Sequence, residues 1–431
     1  TNLAIVGHPG SGKSVTLAYL ALILSHGIDD NSNLPPYLPL YLHVHDIHLI
    51  DNLTDPLVVL SSVIQNFIPT VFQKQVPTAL QTALKQKELI LILDGFDNLH
   101  PETELPVYAD FVRSIHKIYP DLLMVIAADP HNLKGLVQSQ FQPYILAPFS
   151  EENTLCLFEK WFSVWAKNFL IKNPDSPVVD PRLLKFWWKS LPANLNPLEH
   201  TSRIISLLSG DLQQGQISYS GIETHLLRLV TSESERIALE KLAAEFVIRR
   251  CSVMEFNEIE SILNKNLRMT EKQTSAVDVL PTESKEPVRK IRLSSKSDKK
   301  SSGAQLIERL ISAGVFQEHS QNYVGFCHPQ VIGYLAAFAL PSDLPRALFE
   351  NLFWPSNAET LHYVTTQGGK DLWVDTLLRL DDRPLYWIHF SIGRWLRDTP
   401  SSSIWRSNFL RQIVTLLHKE LWLFGIYVQT A

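Results

Sequence analysis

Three of the 17 glycines of the chain fall within six consecutive residues, at positions 7, 10 and 12. Glycine is scarce elsewhere, and its overall usage is about half of the ~7% of an average protein. The segment reads Gly7-His8-Pro9-Gly10-Ser11-Gly12-Lys13-Ser14 and matches G-x-x-x-x-G-K-[ST], the pattern of a phosphate-binding loop. A polyphosphate needs several main-chain N–H donors at van der Waals contact, so side chains must be absent where the backbone curls around it. We therefore predict a loop that binds the phosphates of a nucleotide.

The context of the loop supports this prediction. It follows a predicted strand, Leu3–Val6, and opens a predicted helix, Ser14–Ser25, whose N-terminal dipole favours an anion. Lys13 is expected to reach the β- and γ-phosphates and to assist catalysis, and the Ser14 hydroxyl is expected to ligate Mg²⁺. The predicted nucleotide-binding residues of this segment are Gly7, His8, Pro9, Gly10, Ser11, Gly12, Lys13, Ser14 and Val15.

A second candidate segment is the apolar run Leu89–Leu93, which ends at Asp94. An acid at the carboxyl end of a central strand lies where doubly wound folds bind ligands, and Asp94 is placed to hold Mg²⁺ through water or through Ser14. Asp97 is a second carboxylate that could take a proton from the attacking water. Taken alone, either acid could also be an ordinary turn or helix-cap residue.

The hydrophobic pattern of the first 149 residues predicts an α/β P-loop NTPase fold with a doubly wound parallel sheet. Five short apolar runs indicate strands buried on both faces: Leu3–Val6, Leu40–Val44, Glu88–Leu93, Leu122–Ala127 and Tyr144–Leu146. Four amphipathic segments between them indicate helices: Ser14–Ser25, Leu57–Phe67, Thr78–Lys87 and Tyr108–Ile118.

The rest of the chain is predicted to be mainly helical. We expect a helical domain at 150–232, with helices Thr154–Ala166, Pro181–Ser190, Pro197–Leu208 and Gly221–Val230, and a winged-helix domain at 233–340. The latter would combine Ser234–Asn264, helix Ala304–Ala313, strands Val315–Glu318 and Tyr323–Cys327, and helix Pro329–Ala339. Residues 341–431 resemble the start of an α-helical, HEAT-like repeat region without a strict period.

Residues 271–303 are predicted to be a disordered basic insertion in the winged-helix domain. From Lys285 to Lys300 this stretch has seven basic and two acidic residues. Two interpretations are open: a solvated surface insertion, or an arm that binds nucleic acid or is regulated by phosphorylation.

The composition excludes several classes of protein. Hydrophobic residues at 45% and aromatic residues at 10% exclude a disordered chain, and a net charge of −5 with 19% charged residues excludes a generally basic nucleic-acid binder. Three distant cysteines, without a C-x-x-C pair, provide neither a disulfide framework nor a cysteine zinc site and fit a reducing cytoplasm. No apolar run is long enough to span a membrane. Because the chain opens on Thr1 within a strand pattern, we expect it to be a piece of a longer protein.

Asp94-Gly95-Phe96-Asp97 resembles the Walker B segment of the NACHT family of STAND nucleotide-binding switches, in which a small residue follows the first Asp and another acid stands three places on. Tyr144–Glu152 is similar to the L-x-P-L-S-E-E passage of that family, which closes the sheet and opens the helical domain. The resemblance covers about residues 1–340. It implies ATP and ADP as ligands with Mg²⁺; the Asn/Thr-Lys-x-Asp guanine signature is absent.

Two further motifs resemble those of the family. Asn196-Pro197-Leu198 is similar to N-P-L, which implies that Pro197 packs against the adenine. Phe326-Cys327-His328, followed by Tyr334–Ala337, is similar to F-x-H … Y-L-A-A, which implies that His328 reaches the β-phosphate of ADP in the closed state. Pro197 could instead be only the first-turn proline of a helix, and His328 only a helix-capping or core histidine.

Two departures from the family pattern bear on hydrolysis. Asn98 stands where Glu is usual, and an amide can orient a water molecule but cannot accept its proton. The strand 122–128 ends in Ala127-Ala128-Asp129, where many relatives have an Arg that senses the γ-phosphate. Without that cation, transition-state charge is stabilised less, so we expect slow or nearly absent Mg²⁺-dependent ATPase activity.

The leading functional hypothesis is a signalling switch, such as a sensor or a defence or regulatory protein, that is closed by ADP and opened by exchange for ATP. We expect it to self-oligomerise on activation and to bind an unknown protein or other ligand through its C-terminal helices. The alternatives are a DNA-acting P-loop ATPase or transcriptional regulator that uses the winged helix, and a scaffold with a relic nucleotide site. Helix Ala304–Ala313 has only Glu308 and Arg309 as charged residues, so we do not expect nucleic acid as a partner.

Overall fold

The chain of 431 residues is represented by a computed structural model. The structure describes residues 2–26, 37–49, 55–167, 196–208, 222–223, 226, 229–230, 232–277, 302–341, 346–367, 371–380, 386–396, 399 and 401–430. The predicted helix 181–190, most of the predicted helix 221–230 and the basic tract 285–300 lie outside these residues.

The amino-terminal part forms a five-stranded parallel sheet in the order β2-β3-β4-β1-β5. Its strands are β1 (Leu3–Val6), β2 (Leu38–His43), β3 (Leu89–Asp94), β4 (Leu123–Ala128) and β5 (Gln142–Ile145). The doubly wound parallel sheet predicted from the apolar runs is therefore confirmed, and each strand begins and ends within two residues of its prediction. Since β4 lies between β1 and β3, its carboxyl end is adjacent to both predicted nucleotide-binding segments.

The prediction that all five strands are buried on both faces is wrong for the two edges. All six residues of β3 are buried, as expected of a central strand. In β5 every residue is exposed, and Ile145 has 78% of its surface accessible. An apolar run specifies a strand but not its position in the sheet, because edge strands can also be apolar.

Helices cover both faces of this sheet. On one face α1 packs Leu17 against Ile92 and Ala127, and a larger core lies on the other. The helices of this part are α1 (Lys13–His26), α2 (Pro56–Phe67), α3 (Thr70–Gln73), α4 (Val76–Lys85), α5 (Leu105–Ile118) and α6 (Lys134–Gln138). The two short helices α3 and α6 were not predicted.

The chain then becomes helical. Ser150 caps α7 (Glu151–Trp165), its hydroxyl accepting the main-chain N–H of Asn153, and α8 (Pro197–Leu208) follows. A second unit has a three-stranded antiparallel sheet in the order β6-β8-β7. Its elements are α9 (Glu233–Arg249), β6 (Val253–Glu255), α10 (Phe256–Val277), α11 (Gly303–Ser312), β7 (Phe316–His319), β8 (Tyr323–Phe326) and α12 (Pro329–Ala339). The predicted insertion starts later than expected, since α10 continues to Val277.

The remaining helices share a hydrophobic core with this second unit. They are α13 (Arg346–Glu350), α14 (Pro355–Gln367), α15 (Asp371–Leu377), α16 (Trp387–Trp395) and α17 (Trp405–Thr430). One continuous hydrophobic core joins buried residues from Leu226 to Phe409, so the predicted boundary at residue 340 does not separate two cores. Among the described residues, no helix combines the length and the apolar character needed to cross a membrane.

The joint between α12 and α14 depends on a glycine. A Cβ added to Gly333 would lie 2.6 Å from the main-chain carbon of Glu359 and 2.7 Å from the nitrogen of Thr360. These atoms belong to a helix backbone and cannot move aside as a flexible side chain can. The close approach of the two helices therefore requires that residue 333 has no side chain.

We predict that Gly333→Ala lowers the free energy of unfolding by about 1–3 kcal/mol, because the helices must separate to admit the methyl group. Urea denaturation measures this difference. Gly135→Ala is the matched control: the nearest atom to its Cβ would be Ala109 Cβ at 3.5 Å, so that variant should be neutral or more stable by up to about 1 kcal/mol. Equal stability of the two variants would contradict the packing described for Gly333.

Candidate functional site

The glycine-rich loop begins where β1 ends. The N–H of Gly7 donates to the carbonyl of Ala128 on β4 at 3.1 Å, and the N–H of Ser11 donates to the carbonyl of His8 at 3.1 Å. Gly10 and Gly12 have φ of +79° and +95°, a region that other residues rarely adopt. The loop therefore has the tight curl predicted from the glycine spacing.

The space around the loop fits a bound phosphate chain. A Cβ on Gly7 would lie 2.3 Å from Ser11 Oγ, so glycine is also required there by close packing. The Ser11 hydroxyl is buried and has no hydrogen-bond partner among the described residues. An orphaned hydroxyl inside a loop of this shape, at the start of α1, is what a polyphosphate ligand would satisfy.

Lys13 is held at the centre of the site. Its Nζ donates to the carbonyls of Gly7 at 2.7 Å and His8 at 3.0 Å, and lies 2.9 Å from Asp97 Oδ2. The residue is only 5% exposed, so the pair is shielded from water. Asp97, predicted as a proton acceptor, is thus paired with the lysine that is predicted to contact phosphate. A phosphate that enters the loop would compete with Asp97 for this ammonium group.

Ser14 and Asp94, the two predicted Mg²⁺ ligands, are in direct contact. Ser14 Oγ donates to Asp94 Oδ1 at 3.0 Å, and the N–H of Gly95 donates to the same oxygen at 2.9 Å. Tyr41 on the adjacent strand donates its hydroxyl to Asp94 Oδ2 at 2.7 Å, and burial together with this carboxylate raises the pKa of Tyr41. These hard oxygen atoms fit Mg²⁺, which Ser14 and Asp94 would hold and which would neutralise charge on the phosphates. Tyr41 was not predicted as a site residue, because the strand register that brings it to Asp94 is not visible in the sequence.

The N-P-L segment lies against the loop. The N–H of Leu198 donates to the carbonyl of Gly10 at 3.2 Å, and Asn196 Nδ2 donates to the carbonyl of Pro9 at 3.3 Å. Asn196 and Glu199 form a reciprocal pair in which each side chain accepts the main-chain N–H of the other, at 2.8 and 2.9 Å. Pro197 thus occupies the first turn of α8, as in the simple helix-start interpretation, and is next to the loop as well.

His328 caps α12 and is also near the loop. Its Nδ1 accepts the main-chain N–H of Gln330 at 3.2 Å, which leaves Nε2 to carry the proton of a neutral ring. Burial, followed by the positive charge of Lys13, lowers the pKa of His328 to about 4. A neutral imidazole that carries its proton on Nε2 is a suitable donor to a phosphate oxygen.

A cavity of about 540 Å³ opens beside the loop, a size typical of small-molecule sites. Its walls come from all parts of the chain, among them His8, Asp129, Glu199, Gln330 and Arg394. Burial, followed by the charge of Arg394, lowers the pKa of His8 to about 4. The cavity places residues of the distant α16 at the predicted nucleotide site.

Arg394 is the residue that sequence analysis missed here. Asp129 stands where an Arg is usual in the family. Arg394, which comes 265 positions later in the chain than Asp129, brings a cation to the same cavity from α16. Within the part of the chain that the structure describes, its guanidinium makes no ion pair. No local motif marks such a residue, since its position depends on the packing of α16.

The predicted residues are brought together with one exception. Asp97 pairs with Lys13, Asp94 with Ser14, and the segment of Pro197 with the loop, and His328 lies near Lys13. Val15, in contrast, has 73% of its surface exposed. The turn after Asp97 is also anchored: the carbonyl of Asn98 accepts Ser252 Oγ and Trp354 Nε1, each at 3.0 Å.

Residues 1–164 match the family model of the NACHT domain. The chain therefore contains a NACHT-type P-loop NTPase domain, and its resemblance to this family is confirmed over that range. At the level of the family, the domain binds nucleotide. No curated protein matches the sequence of the chain.

Solved structures similar to the chain include the Orc1 protein of Aeropyrum pernix in complex with DNA, at 13% identity and a TM-score of 0.32, covering 78% of this chain and 86% of that one. Drosophila ORC bound to DNA has 14% identity, a TM-score of 0.29, and 78% and 81% coverage. A Walker-type ATPase of Pyrococcus abyssi has 14% identity, a TM-score of 0.32, and 77% and 90% coverage. Similarities this distant say nothing about what this chain binds.

Asp129 makes the free energy of unfolding depend on pH. Burial raises the pKa of Asp129 to about 6, against the lowering effects of the His131 N–H and of Lys13. Because the folded chain holds this proton more tightly than the unfolded chain, Asp129 stabilises the fold below its unfolded pKa of ~3.9. That contribution is lost as the pH rises through about 6.

We predict that Asp129→Asn becomes the more stable protein as the pH rises. The unfolding free energy of the wild type relative to this variant should fall by about 2–3 kcal/mol between about pH 4 and pH 7. Urea denaturation of both proteins at these pH values measures the change. Asn keeps an oxygen that can accept the His131 N–H, so the helix cap is preserved. A difference that is independent of pH would contradict the raised pKa.

Proposed function

We propose that the chain is an ATP- and ADP-binding switch of the STAND type, with slow Mg²⁺-dependent ATPase activity. The observation that carries this proposal is the contact of the loop with separate parts of the chain. Leu198 of α8 bonds to Gly10, and His328 at the start of α12 lies close enough to Lys13 for its pKa to be lowered by that charge. A nucleotide in the loop would therefore touch residues on both sides of the predicted domain boundaries.

In this proposal the Mg²⁺-nucleotide is held by this chain's own groups in separate roles. The loop N–H groups and Lys13 bind the phosphates, Ser14 and Asp94 hold Mg²⁺, Pro197 packs on the base, and His328 donates to a phosphate oxygen. A ligand shifts a conformational equilibrium only by its difference in affinity for the two states. His328 supplies that difference, since it can reach the nucleotide only while α12 stays in place.

The proposed hydrolysis is slow for three reasons. Asp97 is paired with Lys13 at 2.9 Å, so its carboxylate must leave the lysine before it can accept a proton from water. Asn98 has an amide where a second acid is usual. Asp129 lines the same cavity as Arg394 and adds negative character that offsets this cation beside the phosphates, so transition-state charge is stabilised less.

We assign the second unit, from α9 to α12, to a winged helix. The four predicted segments of the switch are residues 1–149, 150–232, 233–340 and 341–431.

DNA binding is not our proposal for the winged helix. Arg309 is the one basic residue of α11, and its Nη2 lies 2.8 Å from Oε2 of the buried Glu235. A guanidinium held in this way offers little to a phosphate backbone.

Further features of the proposed switch follow from the family. We propose that the protein acts in the cytoplasm, that it self-associates when ATP replaces ADP, and that a protein or other ligand binds its C-terminal helices. Size-exclusion chromatography with light scattering, in ADP and in a non-hydrolysable ATP analogue, tests the self-association.

We predict that protein purified from cells carries ADP, which is released on heat denaturation and identified by chromatography. Added Mg²⁺–ADP at 100 times its Kd should stabilise the native state by about 2.7 kcal/mol, seen as a raised Tm. Lys13→Ala should lose this ligand-induced shift, because the ammonium that contacts the phosphates is gone. The exposed Lys85→Ala is the control and should keep it. An empty wild-type site, or an equal shift in both variants, would refute nucleotide binding by the loop.

We further predict that Arg394 distinguishes ATP from ADP. Its guanidinium, on a wall of the cavity beside the loop, should contact the γ-phosphate, so Arg394→Ala should weaken binding of an ATP analogue about tenfold or more and ADP binding much less. Arg394→Lys should restore part of the affinity, since it keeps the charge but not the fork geometry. Fluorescence titration measures the affinities of the wild type and of each variant for the ATP analogue and for ADP. The exposed Arg379→Ala is the control, and equal losses for ATP and ADP would contradict this role.

A further inference from the structure

Three histidines meet where the NACHT sheet contacts the hairpin of the second unit. This histidine cluster consists of His43 at the end of β2, His45 in the 3-10 helix Val44–Asp46, and His319 at the end of β7. One ring nitrogen of each lies within 4.8 Å of the others. The ring centroids are 4.6 Å apart for His43 and His319, 5.1 Å for His43 and His45, and 5.4 Å for His45 and His319.

The backbone around the cluster is fixed by hydrogen bonds between the two units. The N–H of Ser320 donates to Asp46 Oδ1 at 2.9 Å, and Ser320 Oγ donates to the carbonyl of Asp46 at 2.9 Å. His48 Nε2 lies 2.6 Å from the same hydroxyl. The backbone beside His45 and His319 is therefore held in place by bonds between the two units.

The cluster contains polar atoms that nothing in the described chain satisfies. His45 is 5% exposed, and neither of its ring nitrogens has a hydrogen-bond partner among the described residues. His319 is 7% exposed, and its Nδ1 has no hydrogen bond of good geometry there. Leaving a buried polar group unpaired costs about 1–3 kcal/mol, so the unpaired ring nitrogens of His45 call for a ligand.

The state of the rings suits a metal ion. A neutral imidazole has a free lone pair on one ring nitrogen, and this is the form of histidine that binds a metal ion. Asp46 Oδ1 lies 3.4 Å from His319 Nδ1, a position from which a carboxylate orients a ligating histidine whose Nε2 faces the metal. The remaining polar contact is weak: the N–H of His45 lies 3.3 Å from His43 Nδ1.

We propose that the histidine cluster binds one Zn²⁺ ion, which joins β2 of the NACHT domain to the hairpin of the second unit. Neutral imidazoles are ligands for zinc, whereas Mg²⁺ and Ca²⁺ prefer oxygen. Tetrahedral zinc with Zn–N bonds of ~2.0–2.1 Å places ligand nitrogens about 3.4 Å apart, so side-chain rotations suffice to close the site. Three protein ligands leave the fourth position to water.

The proposed zinc site is next to the nucleotide site but uses none of its residues. His43 pairs in register with Asp94 on the adjacent strand, and a Cβ on Gly95 would lie 2.1 Å from His43 Nε2. The ligand sets are distinct in chemistry, nitrogen for one and oxygen for the other. Zinc binding can therefore be measured while Mg²⁺ is in excess and nucleotide is absent.

The test uses the full chain, stripped with a chelator, desalted, and titrated with ZnCl₂ in excess Mg²⁺ in a calorimeter. We expect a stoichiometry of about one Zn²⁺ per chain and a rise in Tm. His45→Phe and His319→Phe keep a ring in the stack but remove the ligand nitrogens, and each should weaken Zn²⁺ binding at least tenfold. His26→Phe, at the exposed end of α1, is the matched control and should bind as the wild type does.

Two further measurements distinguish the loss of zinc ligands from a loss of folding. Circular dichroism and a cooperative urea transition, both measured without added zinc, establish that each variant is folded. Co²⁺ in place of Zn²⁺ should give the visible absorption of a four-coordinate ion in the wild type and in His26→Phe, but not in the cluster variants. Wild-type binding no tighter than that of His45→Phe, or binding that survives in both folded cluster variants, would overturn the proposal.

Discussion

The arrangement of the site depends on the ammonium group of Lys13. It is buried among the carbonyls of Gly7 and His8 and the carboxylate of Asp97, within 3.0 Å of each. A buried charge is tolerated only when it is paired and hydrogen-bonded, so these three partners substitute for the water and phosphate that would otherwise surround it. The loop and the turn after β3 are thereby held together, and a nucleotide must replace at least part of this arrangement when it binds.

The turn after β3 transmits this constraint to the rest of the chain. Asn98, one residue past Asp97, accepts hydrogen bonds from Ser252 of the second unit and from Trp354 just before α14. Its carbonyl, and not its side chain, makes both contacts. Movement of this turn together with Asp97 would disturb contacts with two distant parts of the chain. In the proposed switch, this is the route by which a change of ligand is felt far from the phosphates.

The sequence was sufficient for features that depend on local pattern and failed for those that depend on packing between distant segments. The glycine spacing predicted the loop, and apolar runs predicted five strands, because the phosphate cradle and the buried strand each impose a local rule. Edge exposure of β5, the bond from Tyr41 to Asp94, and the approach of Arg394 all follow from sheet order and helix docking. The histidine cluster had a partial signal in the sequence, because His43 and His45 lie close together and His48 follows. The third ligand, His319, comes from the distant strand β7 and could not be predicted.

The position of the second unit links the two proposed ligand sites. His319 and His328 lie nine residues apart at opposite ends of one hairpin segment, the first beside His43 and the second near Lys13. Displacement of this segment as a rigid body would remove His319 from the zinc site and His328, the hydrogen-bond donor to a phosphate oxygen, from the nucleotide site in the same step. Because each ligand then favours the same docked state, binding of one must strengthen binding of the other, by an amount limited to the free energy that separates the docked and displaced states.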